Sequence, residues 1–214
     1  MFQYIQKKDR IVVNPGTESK VIIPSRMYPL EAKPCQIFTS DDTLPLERDD
    51  VTRIFDSIVP QVGRCFTNSE KLVNALRKAG YPAKQYVGWL FIQGVTYPVH
   101  HSFVVLEKYI MDLSIEMLSK DINSYKENVL LKRMNRYEAR KQIAQMYHEK
   151  KDLPNHEKCI FGKCDPYYMY IAAEGNAVQG KERNALLRRE YPQHPAFKNL
   201  DLNGMTEIQR MLYE

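Results

Sequence analysis

Cys65, His101 and Asp112 follow one another along the chain, and together these residue types can perform nucleophilic catalysis at a thiol. A cysteine thiolate attacks carbonyl carbon, a neighbouring histidine moves the proton, and an aspartate fixes the tautomer and orientation of the imidazole. The sequence lacks the phosphate-binding patterns GxxxxGK(S/T) and GxGxxG and the metalloprotease pattern HExxH. It therefore predicts a thiol site, provided that its helices and strands bring the three residues together.

The cysteine lies next to a predicted helix. Residues 69–79 are expected to be helical, with Gly80 ending the helix and an apolar stripe made of Leu72, Val73, Leu76 and Ala79. Thr67 and Glu70 have the spacing of a capping box, so Cys65 either opens the helix or lies just before its first turn. In both positions the unpaired amides and the positive end of the helix dipole stabilise a thiolate.

Strand register decides whether His100 or His101 can meet Asp112. Strands are predicted over residues 86–92, 101–106 and 109–113. A two-residue turn at 107–108 places Phe103 opposite Asp112, so His101 and Asp112 share one face of the sheet as diagonal neighbours. His100 then faces the other side, whereas a three-residue turn would exchange the two histidines. The two-residue turn therefore favours His101 as the partner of Asp112.

These segments resemble the core of a known enzyme family. The stretch GRCFTNSEKLVNALRKAGY, followed by HHSFVVL and YIMDLS, is similar to the transglutaminase-like branch of the papain-like cysteine hydrolases over residues 58–115. In that family a cysteine begins a helix, a histidine followed by Ala or Ser and an aromatic residue opens a strand, and an aspartate lies on the next strand. Cys65, His101 and Asp112 match these places, although the His-to-Asp spacing is short and Phe103 stands where tryptophan is commoner. Arylamine N-acetyltransferases use the same Cys–His–Asp order.

The resemblance implies a fold and a reaction. The fold class is expected to be α+β, with a papain-like or transglutaminase-like core at residues 50–118 in which the cysteine-bearing helix packs on an antiparallel sheet. Cys65 is expected to attack an amide, isopeptide or thioester carbonyl, His101 to transfer the proton, and Asp112 to orient His101. The residue pattern of 119–214 predicts a mostly helical C-terminal extension of the same single domain, with helices at 137–149, 180–191 and 206–213.

The reaction also needs a donor for the oxyanion. The Cys65 amide is one candidate, and the side-chain amide of Gln61 or Asn68 is another. Peptides, proteins or small acyl compounds are the expected substrates, and no cofactor is implied. Hydrolysis, transfer and deamidation are all compatible with these residues, and the sequence does not determine the oligomeric state.

A second group of potential ligands lies in the C-terminal part. His156, Cys159 and Cys164 are ligand types for zinc, and a fourth ligand could come from Cys35, His148 or Asp165. Their spacing is not a recurrent zinc-binding pattern, so we expect residues 154–166 to form a loop without metal. The tyrosine-rich run at 167–170 is typical of a half-buried strand, and the alternative is an aromatic surface for a partner.

Composition limits the other classes of protein. The chain has 214 residues, of which 43% are hydrophobic and 27% charged, and these proportions exclude disordered and fibrous classes. Polar residues interrupt the longest uncharged stretch, residues 85–106, so no membrane span is predicted. Four cysteines without an export signal indicate a reducing, cytoplasmic environment.

The alternative function is a nonenzymatic transglutaminase-like binding module. The 31 Lys and Arg residues exceed the 26 Asp and Glu residues, which gives a net charge of +5. Residues 120–151 and the helix predicted at 180–191 are basic, and could dock on nucleic acid or on an acidic protein. An excess this small does not favour nucleic acid as the partner. Thiol reactivity distinguishes the enzyme from the module.

Overall fold

Two antiparallel sheets form the β-structure of the chain. The computed structural model describes residues 2–115, except 19, 32, 62 and 96, and residues 152–198. A three-stranded sheet contains, in spatial order, Gln3–Gln6 (β1), Arg10–Asn14 (β2) and Val21–Pro24 (β3). A second sheet contains Gln36–Phe38 (β4), Lys84–Ile92 (β5), Val99–Leu106 (β6), Tyr109–Asp112 (β7), Ile160–Gly162 (β8) and Tyr168–Glu174 (β9). Its order is β4-β9-β5-β6-β7-β8, and all neighbours are antiparallel.

Helices cover part of the larger sheet. Those within the described residues are Asp49–Asp56 (α1), Cys65–Lys78 (α2), Asn155–Lys158 (α3), Ala177–Glu190 (α4) and Pro195–Lys198 (α5). A 3₁₀ turn at Ser25–Met27 follows β3. Together these helices and antiparallel sheets make an α+β fold, as predicted. Within the described part of the chain, every helix is too short or too polar to cross a lipid bilayer.

The central strands are buried on both faces. On one face Trp89 packs in a cluster with Ile11 of β2 and Leu187 of α4. On the opposite face Phe103 and Tyr170 pack in another cluster. Strands covered on both sides carry nearly continuous apolar runs instead of an alternating pattern. This double coverage explains the YVGWLFI sequence of β5.

Helix α2 packs along β6 and so determines where its first residue lies. Leu72 and Leu76 share a core cluster with Val104 of β6. The ring of Phe66, the second residue of α2, has its centroid 5.8 Å from that of His100 at the beginning of β6. The amino terminus of α2 therefore lies at the histidine-bearing end of β6.

Helix α2 begins at Cys65 and not at residue 69 as expected. Arg64 is its N-cap and provides no side-chain hydrogen bond, so the predicted capping box of Thr67 and Glu70 does not form. The Asn68 side chain instead bonds to the Gln61 backbone in the preceding loop and to the distant Ser114, and these contacts stabilise residues 65–68 as the first turn of the helix.

The C-terminal part differs from the mostly helical extension that was expected. Strand β9 lies between β4 and β5 inside the larger sheet, and residues 154–166, expected to form a loop, contain α3 and β8. Residues 168–170 of the run at 167–170 are strand as predicted, but Tyr168 and Tyr170 are buried and not half-buried, and Tyr167 precedes the strand in a turn. The sequence did not indicate this place for β9, because β9 pairs with strands far away in sequence. Helix 180–191 corresponds to α4, whereas the expectations for 120–151, 137–149 and 206–213 lie outside the described residues.

Candidate active site

Cys65 is the first residue of α2 and is half-buried. The first amides of a helix have no partner within it, and they carry the positive end of the helix dipole. Neither a side-chain cap nor an acidic residue in the first turn neutralises this end of α2. The amino terminus of α2 therefore places uncompensated positive charge beside Cys65.

His101 and Asp112 form a buried pair. The connection at 107–108 has two residues, and Leu106 pairs with Tyr109, so the predicted register is confirmed. His101 Nε2 lies 2.7 Å from Asp112 Oδ2. Their side chains are 8% and 0% exposed, so water does not weaken this contact. The neighbouring His100 takes no part in it.

Two further donors hold the Asp112 carboxylate. The Tyr170 hydroxyl donates to Oδ2 at 3.0 Å, and the Ser114 amide donates to Oδ1 at 2.9 Å. A buried carboxylate needs such donors, because its charge has lost hydration. The sequence analysis did not assign Tyr170 to the site. Only the pairing of β9 with β5 brings it there, and no local pattern reports that pairing.

The surroundings of the two adjacent histidines shift their pKa values in opposite directions. Burial lowers the pKa of His101, but the charge and hydrogen bond of Asp112, together with Cys65, outweigh burial and raise it to about 10. Burial lowers the pKa of His100 to about 3, and the charges of His101, Arg183 and Arg188 act in the same direction. These shifts favour the imidazolium form of His101 and the neutral form of His100.

Cys65 is, besides Asp112, the other group that raises the pKa of His101. It contributes a hydrogen bond and a charge to the raised pKa of His101. Asp112 occupies Nε2 of this ring, so its contact leaves the other ring nitrogen, Nδ1, unused. The three residues predicted from sequence are thus connected through His101. A thiolate beside an imidazolium provides both a nucleophile and a proton donor for a carbonyl substrate.

Asn68 organises the loop that leads to Cys65. Its Oδ1 accepts a hydrogen bond from Gln61 N at 3.0 Å, and its Nδ2 donates to Gln61 O at 2.8 Å and to Ser114 Oγ at 3.0 Å. Both amide hydrogens are used, which contradicts the suggestion that Asn68 serves as an oxyanion donor. The Gln61 side chain is exposed while its backbone is fixed, so its role as an oxyanion donor stays a prediction.

The C-terminal His and Cys residues have separate surroundings. His156 Nδ1 lies 2.6 Å from Asp56 Oδ2, which connects α3 to the end of α1. Cys159 Sγ donates to a backbone carbonyl of residue 113 at 3.6 Å, and Cys164 is fully buried. Among the residues that the structure describes, no three His, Cys, Asp or Glu side chains are grouped so that they could hold a metal ion.

Comparisons with known proteins gave no relative for this chain. No protein-family model matches it, and neither curated proteins nor solved structures provide a match. The site is therefore interpreted from its own geometry and chemistry.

Proposed function

We propose that this protein is a cysteine-dependent hydrolase or acyltransferase that acts on an amide, isopeptide or thioester carbonyl through Cys65, His101 and Asp112. The observation that carries the proposal is the buried 2.7 Å contact between His101 and Asp112, beside a thiol at the start of a helix. A helix bearing the cysteine, packed on an antiparallel sheet that bears the histidine and aspartate, also supports a papain-like, transglutaminase-like core.

The residues have distinct roles in the proposed reaction. The Cys65 thiolate attacks the carbonyl carbon, and the His101 imidazolium gives its proton to the leaving amine or thiol as the C–N or C–S bond breaks. The acyl group is then bonded to Sγ. Neutral His101 takes a proton from water or from an acceptor amine, which attacks the thioester and releases the Cys65 thiolate. Asp112 keeps the ring oriented and stabilises each imidazolium state.

Alkylation with iodoacetamide, followed by mass spectrometry, tests this proposal. Burial raises the pKa of Cys35 to about 12 and also raises the pKa of Cys164, so both thiols stay protonated at neutral pH. We expect Cys65 to react first, with half-buried Cys159 as the internal comparison. Faster alkylation of Cys159 than of Cys65 would contradict a thiolate at Cys65.

Two histidine variants provide the matched controls. His101→Gln should slow the alkylation of Cys65 by about 10-fold or more, because the neighbouring positive charge is lost. His100→Gln changes the adjacent residue on the other face of β6 and should leave the rate as it is. Equal rates in both variants would remove His101 from the proposed site.

A nonenzymatic binding module is the second candidate, and the basic side chains of α4 favour it. Lys181, Arg188 and Arg189 are exposed on this helix. Such a module needs no reactive thiol, and binding of nucleic acid through Lys and Arg weakens steeply with salt. Strongly salt-dependent binding together with an unreactive Cys65 would favour the module.

A further inference from the structure

A cavity opens between the start of α2 and the C-terminal half of α4. Its volume is about 550 Å³. Its lining includes the four cations Arg64, Lys181, Arg188 and Arg189, and no carboxylate of a described residue contributes. Cavities of roughly 300–1,000 Å³ hold small organic ligands. This cavity therefore has the size of a small-molecule site and a positively charged wall.

The four cations have no anionic partner among the described residues. Arg183, on the same helix, differs from them. It donates to the Tyr28 and Arg26 carbonyls and pairs with Glu31. It therefore attaches α4 to the segment that follows β3. The cations at the cavity make no such attachment. Their mutual repulsion is relieved when an anion lies between them.

The spacing along α4 explains why the cations converge. Lys181, Ala185 and Arg188 recur at i, i+4 and i+7, which places them on one face of the helix. Gly180 allows α4 to approach α2 closely, because a Cβ at this position would lie 2.5 Å from Phe66 Cε1. The cavity is therefore next to the turn of α2 that carries the nucleophile.

Two lining residues are the immediate neighbours of Cys65 in sequence, Arg64 before it and Phe66 after it. We propose that the cavity binds an anionic group, a phosphate or a carboxylate, of a small-molecule substrate whose carbonyl is attacked by Cys65. This inference rests on the proposed function. Arginine binds either anion through paired hydrogen bonds. Phe66 and Ala185 provide apolar surface for the rest of the molecule.

Calorimetric binding of pyrophosphate and of citrate, at constant ionic strength, tests the cavity without requiring a reactive thiol. The wild type should bind at least one of them, and the tighter of the two identifies the anionic group. The double variant Lys181→Gln/Arg188→Gln should bind about 10-fold more weakly or worse. Lys71→Gln/Lys78→Gln removes the same charge from exposed positions of α2 and should bind as the wild type does. No binding of either anion, or equal weakening in both variants, would overturn the proposal.

A second measurement connects the cavity to Cys65. Iodoacetate carries a carboxylate and iodoacetamide does not, so the ratio of their rates with Cys65 reports attraction of an anion. That ratio should fall about 10-fold in the Lys181/Arg188 double variant and stay within about twofold in the Lys71/Lys78 control. A ratio that is unchanged in the first variant would overturn the connection. If Cys65 reacts with neither reagent, the proposed function fails, while pyrophosphate and citrate binding still decides whether the cavity takes anions.

Discussion

The Asp112→Asn variant tests whether the contact between His101 and Asp112 supports the proposed reaction or only stabilises the fold. Asparagine has nearly the same shape, but it carries no charge, and its single amide oxygen can replace either Oδ1, which accepts from Ser114, or Oδ2, which contacts His101, and not both. Burial is the largest influence on the pKa of His101 and lowers it, and the Asp112 charge is the main influence that opposes burial. In Asp112→Asn, His101 should therefore be neutral at pH 7.

The expected magnitudes follow from this change of charge. Loss of a hydrogen bond between charged groups costs about 1.5–3 kcal/mol of unfolding free energy. In a protein of this size each kcal/mol lowers Tm by about 2–4 °C, so Tm should fall by about 3–12 °C. A neutral imidazole does not stabilise the thiolate, and alkylation of Cys65 at pH 7 should slow about 10–100-fold.

The assay combines thermal unfolding with the pH dependence of Cys65 alkylation in each variant. Asp56→Asn is the matched control, because Asp56 makes an equally short contact with His156 away from Cys65. The control should lower Tm without changing the alkylation profile. If Asp112→Asn behaves in the same way as the control, Asp112 acts only in the fold and the reasoning is refuted.

Three further outcomes are expected. The raised pKa of His101 stabilises the fold fully below about 6.5, and this contribution disappears as pH rises through about 10. The Tm difference between wild type and His101→Gln should therefore be largest in mild acid and shrink towards pH 10; a difference that grows with pH would show that His101 is neutral. Both ring nitrogens of His100 are buried and have no hydrogen-bond partner among the residues that the structure describes. His100→Leu should thus raise the unfolding free energy in a urea titration by about 1–2 kcal/mol. A lower unfolding free energy in this variant would contradict the prediction. Glu107 has a φ of 57°, a backbone conformation that asparagine adopts more readily than glutamate does. Glu107→Asn should therefore raise Tm by about 1–3 °C. An unchanged Tm would argue against strain at the turn.

The parts of the site that depend on local pattern were predictable from the sequence. His101 and Asp112 lie on a hairpin with a two-residue turn, so counting along two adjacent strands was enough to place them on one face. The same counting excluded His100. The position of Cys65 at a helix terminus followed from the apolar stripe of α2.

The remaining parts depend on contacts between distant segments. The start of α2 is set by Asn68, whose partner Ser114 lies far along the chain. Tyr170 meets Asp112 only because β9 pairs with β5, and strand pairing over that separation leaves no signature in a local window. The basic cavity likewise requires α4 to pack against α2. The helix itself was predicted, but its packing partner was not.

The position of β9 has a consequence for protein synthesis. Of the described strands of the larger sheet it is the last to be made, yet it lies between β4 and β5. At roughly 5–20 residues per second, translation from the end of β5 to the end of β9 takes about 4–16 s. During this interval the apolar edge of β5 has no partner, and such an edge recruits other strands. The edge of β5 that pairs with β9 in the folded protein therefore stays open until residue 174 has been made. The buried carboxylate also gains its tyrosine donor only then, so the site is completed only after β9 has been made.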